Sequence, residues 1–427
     1  MATQNKPRIL ILGTGWGSVH FLQNINNRDY DITIVSPRSY FLFTPLLPST
    51  ANGHLADDSI TVPIGTLVDK KKGGNVTYLD GEATKIAPEK NTVTVKTAAE
   101  EQEIRYDYLI VSVGAVTNTF GIPGVEGNAI YMKELEDTVK VRASLKHNFE
   151  TAAFLPKDDP KRQQLLSIVV VGAGPTGTEV AGELKDYANG ELAQAIPDVA
   201  GQVSVTLVEA SSTVLNGFFT KDVEKLTRFA MDTLEESGVQ VLLNTSVTEV
   251  DAEAVHVVSD KQTASAIPCG TLIWCTGSKQ RGLVVDLCSQ FAEQTCPRGL
   301  LVDGNLLVQG SKNIFALGDA TYTEGIAPTA QAARKQAEYL SRQVFNCFHA
   351  DLSQNTPPFK YVCEGSMTYV AGNKAVAQFG EFHTGGGALY CYLRRAYYLS
   401  AIQSCRLKYK LLANWLGFGR TKVVGKE

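Results

Sequence analysis

The stretch IVVVGAGPTGTEVAGEL, from Ile168 to Leu184, decides the fold. Four β-branched residues make a strand, Gly172, Gly174 and Gly177 follow at G-x-G-x-x-G spacing, and a run of helix formers comes next. The first glycine permits a tight turn, the second lets backbone approach a pyrophosphate on the helix N-terminus, and the third lets the helix pack on the strand. The chain carries the pattern twice. ILILGTGWGSVHF, from Ile9 to Phe21, repeats it with Gly13, Gly15 and, at the third position, the small Ser18. Glycine turns of this kind are common, but a strand before and a helix after is the context a dinucleotide cradle requires.

A second pair of signals has the same layout. YDYLIVSVGA places Gly114 after a strand 101 residues beyond Gly13, and GTLIWCTGS places Gly277 after a strand 105 residues beyond Gly172. Two nucleotide-binding units are thus laid along the chain with matched internal spacing. NIFALGDA then ends a third strand in Gly318 and Asp319 without a cradle of its own, followed by a helical stretch from Pro328 to about Cys347. This predicts a return to the first unit, with the second inserted: a first dinucleotide domain over 1–125 and 301–347, a second over 126–300, and a C-terminal region over 348–427. The expected class is α/β, with two Rossmann-like domains.

Composition sets bounds. With 44% hydrophobic and 20% charged residues the chain reads as globular, and no run of eighteen apolar residues offers a membrane span. Few residues precede the first strand at Arg8, so a targeting peptide is not expected there; either none existed or it has been removed. The eight cysteines all lie after residue 268 without a C-x-x-C pair, which points to reduced thiols and away from zinc. The net charge of -4 conceals an asymmetry: Phe382 to Lys426 holds eight Lys or Arg and no acid, leaving the rest with 32 basic and 44 acidic residues. A basic tail on an acidic body suits an anionic surface. If helical, the tail aligns Leu389, Leu393, Ala396, Leu407, Leu411, Trp415 and Phe418 on one stripe, with Arg394, Arg395, Arg406, Lys408 and Lys410 elsewhere. Ser400, Gln403 and Ser404 interrupt it, so two helices are equally expected. The expected reading is an interfacial amphipathic segment, in which Leu393, Arg394, Arg395, Lys408, Leu411 and Trp415 would meet the membrane; the stripe alone equally describes a helix packed on the body, and the apolar side disfavours nucleic acid.

Two cradles with a late Gly-Asp resemble the two-dinucleotide-binding flavoproteins of the glutathione reductase superfamily, in which the first cradle holds FAD and the second NAD(P)H. The absence of a close cysteine pair disfavours the disulfide reductases. SPRSYFLFTPLLPS (Ser36 to Ser49), PTAQAARKQAEYL (Pro328 to Leu340) and FHTGGGALYCYLRRAYYLS (Phe382 to Ser400) are similar to the type II, rotenone-insensitive NADH dehydrogenases, most closely the fungal mitochondrial internal enzymes. That resemblance covers almost the whole chain. It implies non-covalent FAD, oxidation of NADH and reduction of ubiquinone at a membrane surface, without proton pumping. It further implies peripheral attachment to the mitochondrial inner membrane, and a homodimer is compatible with it. Open beside it are a soluble NAD(P)H:quinone reductase of the apoptosis-inducing-factor type and a slow-turnover nucleotide-responsive binding protein. No metal is required.

The residues divide accordingly. The first unit's second strand ends with Ser36, Pro37 and Arg38 where an acid is usual; Ser36 can bond ribose and Arg38 can meet phosphate or cover adenine. Thr44 and Pro45 form either a loop turn or a flavin contact. The resemblance implies FAD contacts also for Trp16, Ala83, Gly114, Gly318, Asp319, Ala330 and Gln331. In the second unit, Glu209 ends a strand 32 residues beyond Gly177, a late position caused by the intervening NGELAQAIPDVAG, and can accept both ribose hydroxyls of NADH. Gly277 completes that cradle. Glu179, early in the cradle helix, either complements the helix dipole or, by the resemblance, lies near the nicotinamide. Glu179 and Gln331 are the candidate catalytic residues, and Gln331, Arg334 and Lys335 the quinone-side candidates; Lys335 departs from the Gln that relatives carry.

Overall fold

A computed structural model describes residues 6–67, 75–216, 223–346, 356–379, 383–402 and 404–424. Its contacts divide into two compact units: residues 1–42, 61–116 and 278–363, and residues 43–60, 117–277 and 364–427. Packing therefore changes hands at 116/117 and 277/278, where the motif reading draws its boundaries at 125/126 and 300/301. The expected boundary at residue 347 lies outside the described residues. The C-terminal region from 364 onward belongs to the second unit, and so does the short segment 43–60.

The first unit is built on five parallel strands. Arg8–Leu12 lies at the centre, flanked by Asp31–Ser36 and Tyr108–Val111, with Asn75–Asp80 and Ile314–Ala316 at the two edges. The buried Leu10, Leu12, Val35, Leu109, Val111 and Ile314 join its core, which is what a parallel sheet covered on both faces demands. The chain leaves the central strand through Gly13 into helix α1, Trp16–Asn24. The second unit repeats the scheme: Ser167–Val171 is central between Ser204–Val208 and Thr271–Trp274, with Val239–Leu242 and Ala129–Tyr131 outside. Helix α2, Pro175–Tyr187, follows its central strand. In each sheet the strand that leads into the cradle pairs with the strand that precedes Gly114 or Gly277. The matched spacing of the two halves thus reflects the same strand adjacency.

The late position of Glu209 has a structural cause. Between α2 and the strand Ser204–Val208 the chain makes further helical turns over 188–200. Buried Arg162 fastens them, donating to Asp198 Oδ2 at 2.7 Å, Gln202 Oε1 at 2.6 Å and the carbonyl of Leu155 at 2.7 Å.

The C-terminal residues of the second unit form three antiparallel strands, Ser366–Ala371, Lys374–Phe379 and His383–Gly387, and two helices, α3 (Ala388–Ala401) and α4 (Cys405–Trp415). Of the two tail arrangements left open by the sequence, the structure has the broken pair. Its faces correct the expected stripe. Leu407 and Leu411 are buried, together with Arg394, Tyr398 and Asn414, whereas Leu389, Tyr392, Leu393, Tyr409, Leu412, Leu416 and Phe418 are exposed. Leu411, with no exposed surface, and Arg394, at 4%, are removed from the set that can meet a membrane, because each is sealed inside the protein.

Strand Ser366–Ala371 lies directly against α2. A Cβ on Gly182 would stand 1.5 Å from the carbonyl oxygen of Val370, so only glycine admits this approach. Gly182→Ala is expected to force strand and helix apart and to destabilise the protein by ~2 kcal/mol, within the usual cost of overpacking. Thermal unfolding measures it, and an unchanged Tm would show that the strand does not need this contact.

Candidate functional site

Each unit carries one cradle. In the first, Gly13 has φ +103°, and a Cβ there would meet the Ser112 carbonyl at 2.4 Å. Gly15 caps α1 without a side-chain bond and with nothing within 4 Å of its Cβ position, leaving the helix N-terminus open in front of the turn. Ser18 is fully buried. The second cradle matches. Gly172 has φ +99°, Gly174 caps α2 with no side-chain bond and open space, and a Cβ at Gly177 would be 1.8 Å from the Gly172 carbonyl. An uncapped helix end whose glycine opens outward is the shape a pyrophosphate fills. Both cradles therefore fit a dinucleotide.

The residues that end the second strand of each sheet brace the glycine turns. Glu209 accepts from the Ala173 N–H at 2.6 Å through one oxygen and from the Ser211 N–H at 2.9 Å through the other. Ser36 accepts from the Arg38 N–H at 3.1 Å and shares a bond with the Thr14 hydroxyl at 3.1 Å, while Thr14 donates to the Arg38 carbonyl at 2.9 Å. Pro37 between them is exposed. The Arg38 guanidinium stands 5.6 Å from the Tyr40 ring centroid. Trp16 stacks on His20 at 5.6 Å and meets Phe41 edge-on. Burial, followed by the charge of Arg334, pushes His20 down to about 4, so it is neutral near pH 7. Ala83 pairs with Val95 in a three-stranded antiparallel sheet of the same unit.

The later first-unit residues are also ordered by side chains. Gly114 turns at φ +68°. Gly318 and Asp319 form a short helical turn whose Gly318 N–H donates to Gln336 Oε1 at 2.7 Å, and Gln280 donates to the Asp319 carbonyl at 2.8 Å. Ala330 begins the helix Ala330–Tyr339, capped by the Thr329 side chain. Gln331 accepts from the Tyr361 hydroxyl at 3.0 Å, and Arg334 lies 3.9 Å from Glu338 one turn on. Lys335 is half-buried on the same helix. The buried Gln336 is a residue that motif reading missed. Its signal was an amide inside an otherwise small-residue helical run, which burial makes sense of only with a partner.

The second unit contains a buried polar system that the sequence reading divided between two unrelated places. Glu179 on α2 lies 2.8 Å from Arg394 on α3 and accepts from the Tyr369 N–H at 3.1 Å; the side chains are 8% and 4% exposed. Arg394 also donates to the Pro45 carbonyl at 3.2 Å and stacks over Tyr398 at 4.8 Å. Burial raises the Glu179 carboxyl, against the opposing pull of Arg394 and the Tyr369 amide. Burial pulls the Arg394 guanidinium down, but Glu179 and the other acidic groups around it outweigh that and raise it above its ordinary range, so it stays charged. One and two turns along α2, Glu183 takes bonds from Ser49 and Asn52, and Asp186 from Tyr369 and Gly372. Thr44 and Pro45 form a 3-10 turn at the edge of this system. Gly277, at φ +75°, closes against Phe120. Burial pushes the Cys269 and Cys275 thiols up to about 12, which makes them inert as nucleophiles.

Two parallel sheets, each with an open glycine cradle, define a protein that holds two dinucleotides. The pyridine nucleotide-disulphide oxidoreductase family model matches residues 7–337. External NADH-ubiquinone oxidoreductase 2 of Saccharomyces cerevisiae mitochondria is 41% identical over 79% of this chain, which spans 62% of that protein. The external alternative NADH-ubiquinone oxidoreductase of Yarrowia lipolytica is 35% identical over 100% of this chain and 81% of its own length. The NDH2 of Plasmodium falciparum in complex with NADH superposes with a TM-score of 0.92 at 27% identity, covering 99% of this chain and all of that one. The sulfide:quinone oxidoreductase of Aquifex aeolicus, at 19% identity and a TM-score of 0.72, shares the fold. The chain belongs to the pyridine nucleotide-disulphide oxidoreductase family and, within it, to the type II NADH-ubiquinone oxidoreductases. The fungal relatives above are named external, so the closer likeness to internal enzymes expected from the motifs gains no support from them.

We propose that Glu209 holds the nucleotide's ribose, where its carboxylate would face the extra phosphate of NADPH. Glu209→Gln is expected to narrow the ratio of kcat/KM for NADH over NADPH by about tenfold, a like-charge contact being worth ~1–2 kcal/mol. An unmoved ratio would assign the selection to another residue.

Proposed function

We propose that this chain oxidises NADH and delivers two electrons to ubiquinone through FAD, as a peripheral enzyme of the mitochondrial inner membrane and without translocating protons. The observation that carries the reading is the duplicated open cradle, in a chain matched along nearly its whole length to NADH-ubiquinone oxidoreductases. Bound FAD supplies the two-electron acceptor that hydride chemistry at one site and quinone chemistry at another require. Gly13, Gly15, Ser18, Ser36 and Arg38 would hold it, with Trp16, Pro37, Thr44, Pro45, Ala83, Gly114, Gly318, Asp319, Ala330 and Gln331 bordering it. Gly172, Gly174, Gly177, Glu209 and Gly277 would hold NADH.

The protein's own groups do the rest. Glu209 and the α2 N-terminus orient the nucleotide, and the Ala173 N–H bond that Glu209 makes keeps the glycine turn in its binding form. Glu179 rests as the anion paired with Arg394, and burial, by raising its affinity for a proton, suits a carboxyl oxygen to take one up and release it. Gln331, Arg334 and Lys335 are assigned to the quinone side.

Among the described residues no helix is long and apolar enough to cross a membrane. Attachment is assigned to the outward faces of α3 and α4 and the turn after α4, where Leu389, Tyr392, Leu393, Tyr409, Leu412, Leu416 and Phe418 are exposed beside Arg406 and Lys408. Trp415 and Arg395 are half-exposed, stacked at 5.6 Å, and border this surface. Such a face is also able to pair two copies of the chain. The names of the fungal relatives favour an enzyme that takes NADH from outside the inner membrane, over the internal form that the motifs resemble.

The test is steady-state NADH oxidation by the FAD-loaded protein in liposomes with ubiquinone. Rapid, rotenone-insensitive turnover with no proton gradient is expected, as is bleaching of the yellow protein by NADH without oxygen. A folded protein that takes up no FAD, or one that bleaches but turns over slowly with every quinone, would contradict the proposal. The latter result would support a nucleotide-responsive binding protein.

A further inference from the structure

The turn Gly318–Ala320 follows the edge strand Ile314–Ala316 of the first unit, and three side chains of that unit hold it. The Gly318 N–H donates to Gln336 Oε1 at 2.7 Å, the Thr321 hydroxyl donates to the Gly318 carbonyl at 2.8 Å, and Gln280 Nε2 donates to the Asp319 carbonyl at 2.8 Å. A turn this short has no ladder of its own, so these bonds set where the Asp319 backbone stands.

Gln336, 2% exposed, lies on the helix Ala330–Tyr339 among the buried Ala332, Ala333 and Ala337. An amide at that depth needs a partner, and the Gly318 N–H provides it. The approach is close: at Gly318, with φ +65°, a Cβ would lie 3.0 Å from that of Ala333. Gln280 turns its nitrogen to a second carbonyl, that of Arg298, also at 2.8 Å. Two carbonyl partners fix which end of the amide is the nitrogen. Its Oε1 is left buried without a hydrogen-bond partner among the described residues. An orphaned oxygen is a net cost, so it is the donor side that keeps Gln280 there.

The turn lies beside the first cradle. The Leu317 N–H donates to the Val111 carbonyl at 3.0 Å, and a Cβ on Gly17, in the first turn of α1, would meet Leu317 Cβ at 3.1 Å and Ser112 Oγ at 2.4 Å. The cradle helix thus rests on the residue before Gly318, at the carboxyl ends of the parallel strands, where nucleotides bind in such sheets.

We propose that Gln336 and Gln280 are positioning residues for FAD: gripping the Gly318–Asp319 turn at its two ends, they aim the Asp319 carboxylate at the cofactor and slow its release. The proposal rests on the reading that the first cradle holds FAD and that Asp319 borders it. Asp319 makes the contact, and the two glutamines act through it.

The test follows release of FAD from the loaded protein, read as the gain in free-flavin fluorescence after dilution, together with the Tm of each variant. Gln336→Met and Gln280→Met keep the side chain's length but remove its bond to the turn, whereas Gln336→Glu keeps an oxygen for the Gly318 N–H. Gln294→Met is the control, because Gln294 bonds the Leu301 and Gln309 carbonyls of the same unit and not the turn. Release is expected to quicken by about fivefold or more in the first two variants, and by less than about twofold in Gln336→Glu and Gln294→Met. Gln280→Met carries the test if the buried Gln336 position admits no change.

Combining each Met variant with Asp319→Asn separates positioning from general loosening. A glutamine that acts through Asp319 loses most of its effect once Asp319 is changed. Full additivity, or unchanged release in both Met variants, overturns the proposal. So does faster release that Gln294→Met reproduces at an equal loss of Tm. Asp319→Asn alone tests the reading beneath. If it leaves release unchanged, Asp319 does not border the cofactor and the glutamines' role falls with it. If it quickens release while neither glutamine does, the glutamines' role alone is overturned.

Discussion

The ion pair between Glu179 and Arg394 is the constraint on which the second unit turns. It joins two residues 215 positions apart. Both are almost completely buried, so each charge is tolerable only because the other is present. The Tyr369 amide and the Pro45 carbonyl complete the set, which brings α2, the strand Ser366–Ala371, α3 and the turn at Pro45 to one point. Gly182, one turn along α2, supplies the clearance that lets the strand reach Glu179. The cradle helix is thus the spine to which the C-terminal helices are fixed.

This changes the meaning of the basic tail. Eight positive charges without an acid read in the sequence as a surface for anionic lipid. In the structure Arg394, Lys410 and Arg420 are engaged by Glu179, Asp58 and Glu191, all contributed from elsewhere in the chain. Arg395 stands over the Tyr392 and Trp415 rings. Electrostatic attraction to a membrane, at ~1 kcal/mol per charge near the surface, is therefore smaller than a count over the tail implies. In the proposed membrane attachment, the exposed aromatic and leucine side chains would carry correspondingly more.

The cradles were legible in the sequence because their physics is local. A strand, a glycine turn and a helix within seventeen residues are specified by spacing alone, and Gly13, Gly15, Gly172, Gly174 and Gly177 stand at turns of the expected form. Glu209 directly follows its strand as the VSVTLVEA pattern suggested, and the insertion that makes its spacing long proved to be helical turns held by Arg162. The tail was legible as amphipathic but not as to which side faces inward. Each helix has apolar residues on two faces, and only distant partners decide between them: Leu411 and Asn414 pack inward while Leu412 and Leu416 face out. For the same reason an arginine in a basic run gave no local sign that an acid on the cradle helix would bury it. The grouping of residues 43–60 with the second unit was equally invisible, since nothing in SPRSYFLFTPLLPS marks where packing changes partner.

The most direct test of this account is a double-mutant cycle on unfolding of the FAD-loaded protein, with Glu179→Gln, Arg394→Met and the two combined. Removing one partner of a buried pair costs ~3–5 kcal/mol, because the other charge is left uncompensated. The account predicts that the double variant recovers much of that loss, giving a coupling energy of about 2 kcal/mol or more. Effects that add to within ~0.5 kcal/mol would contradict it, and the tail would then be held to the cradle helix by packing alone.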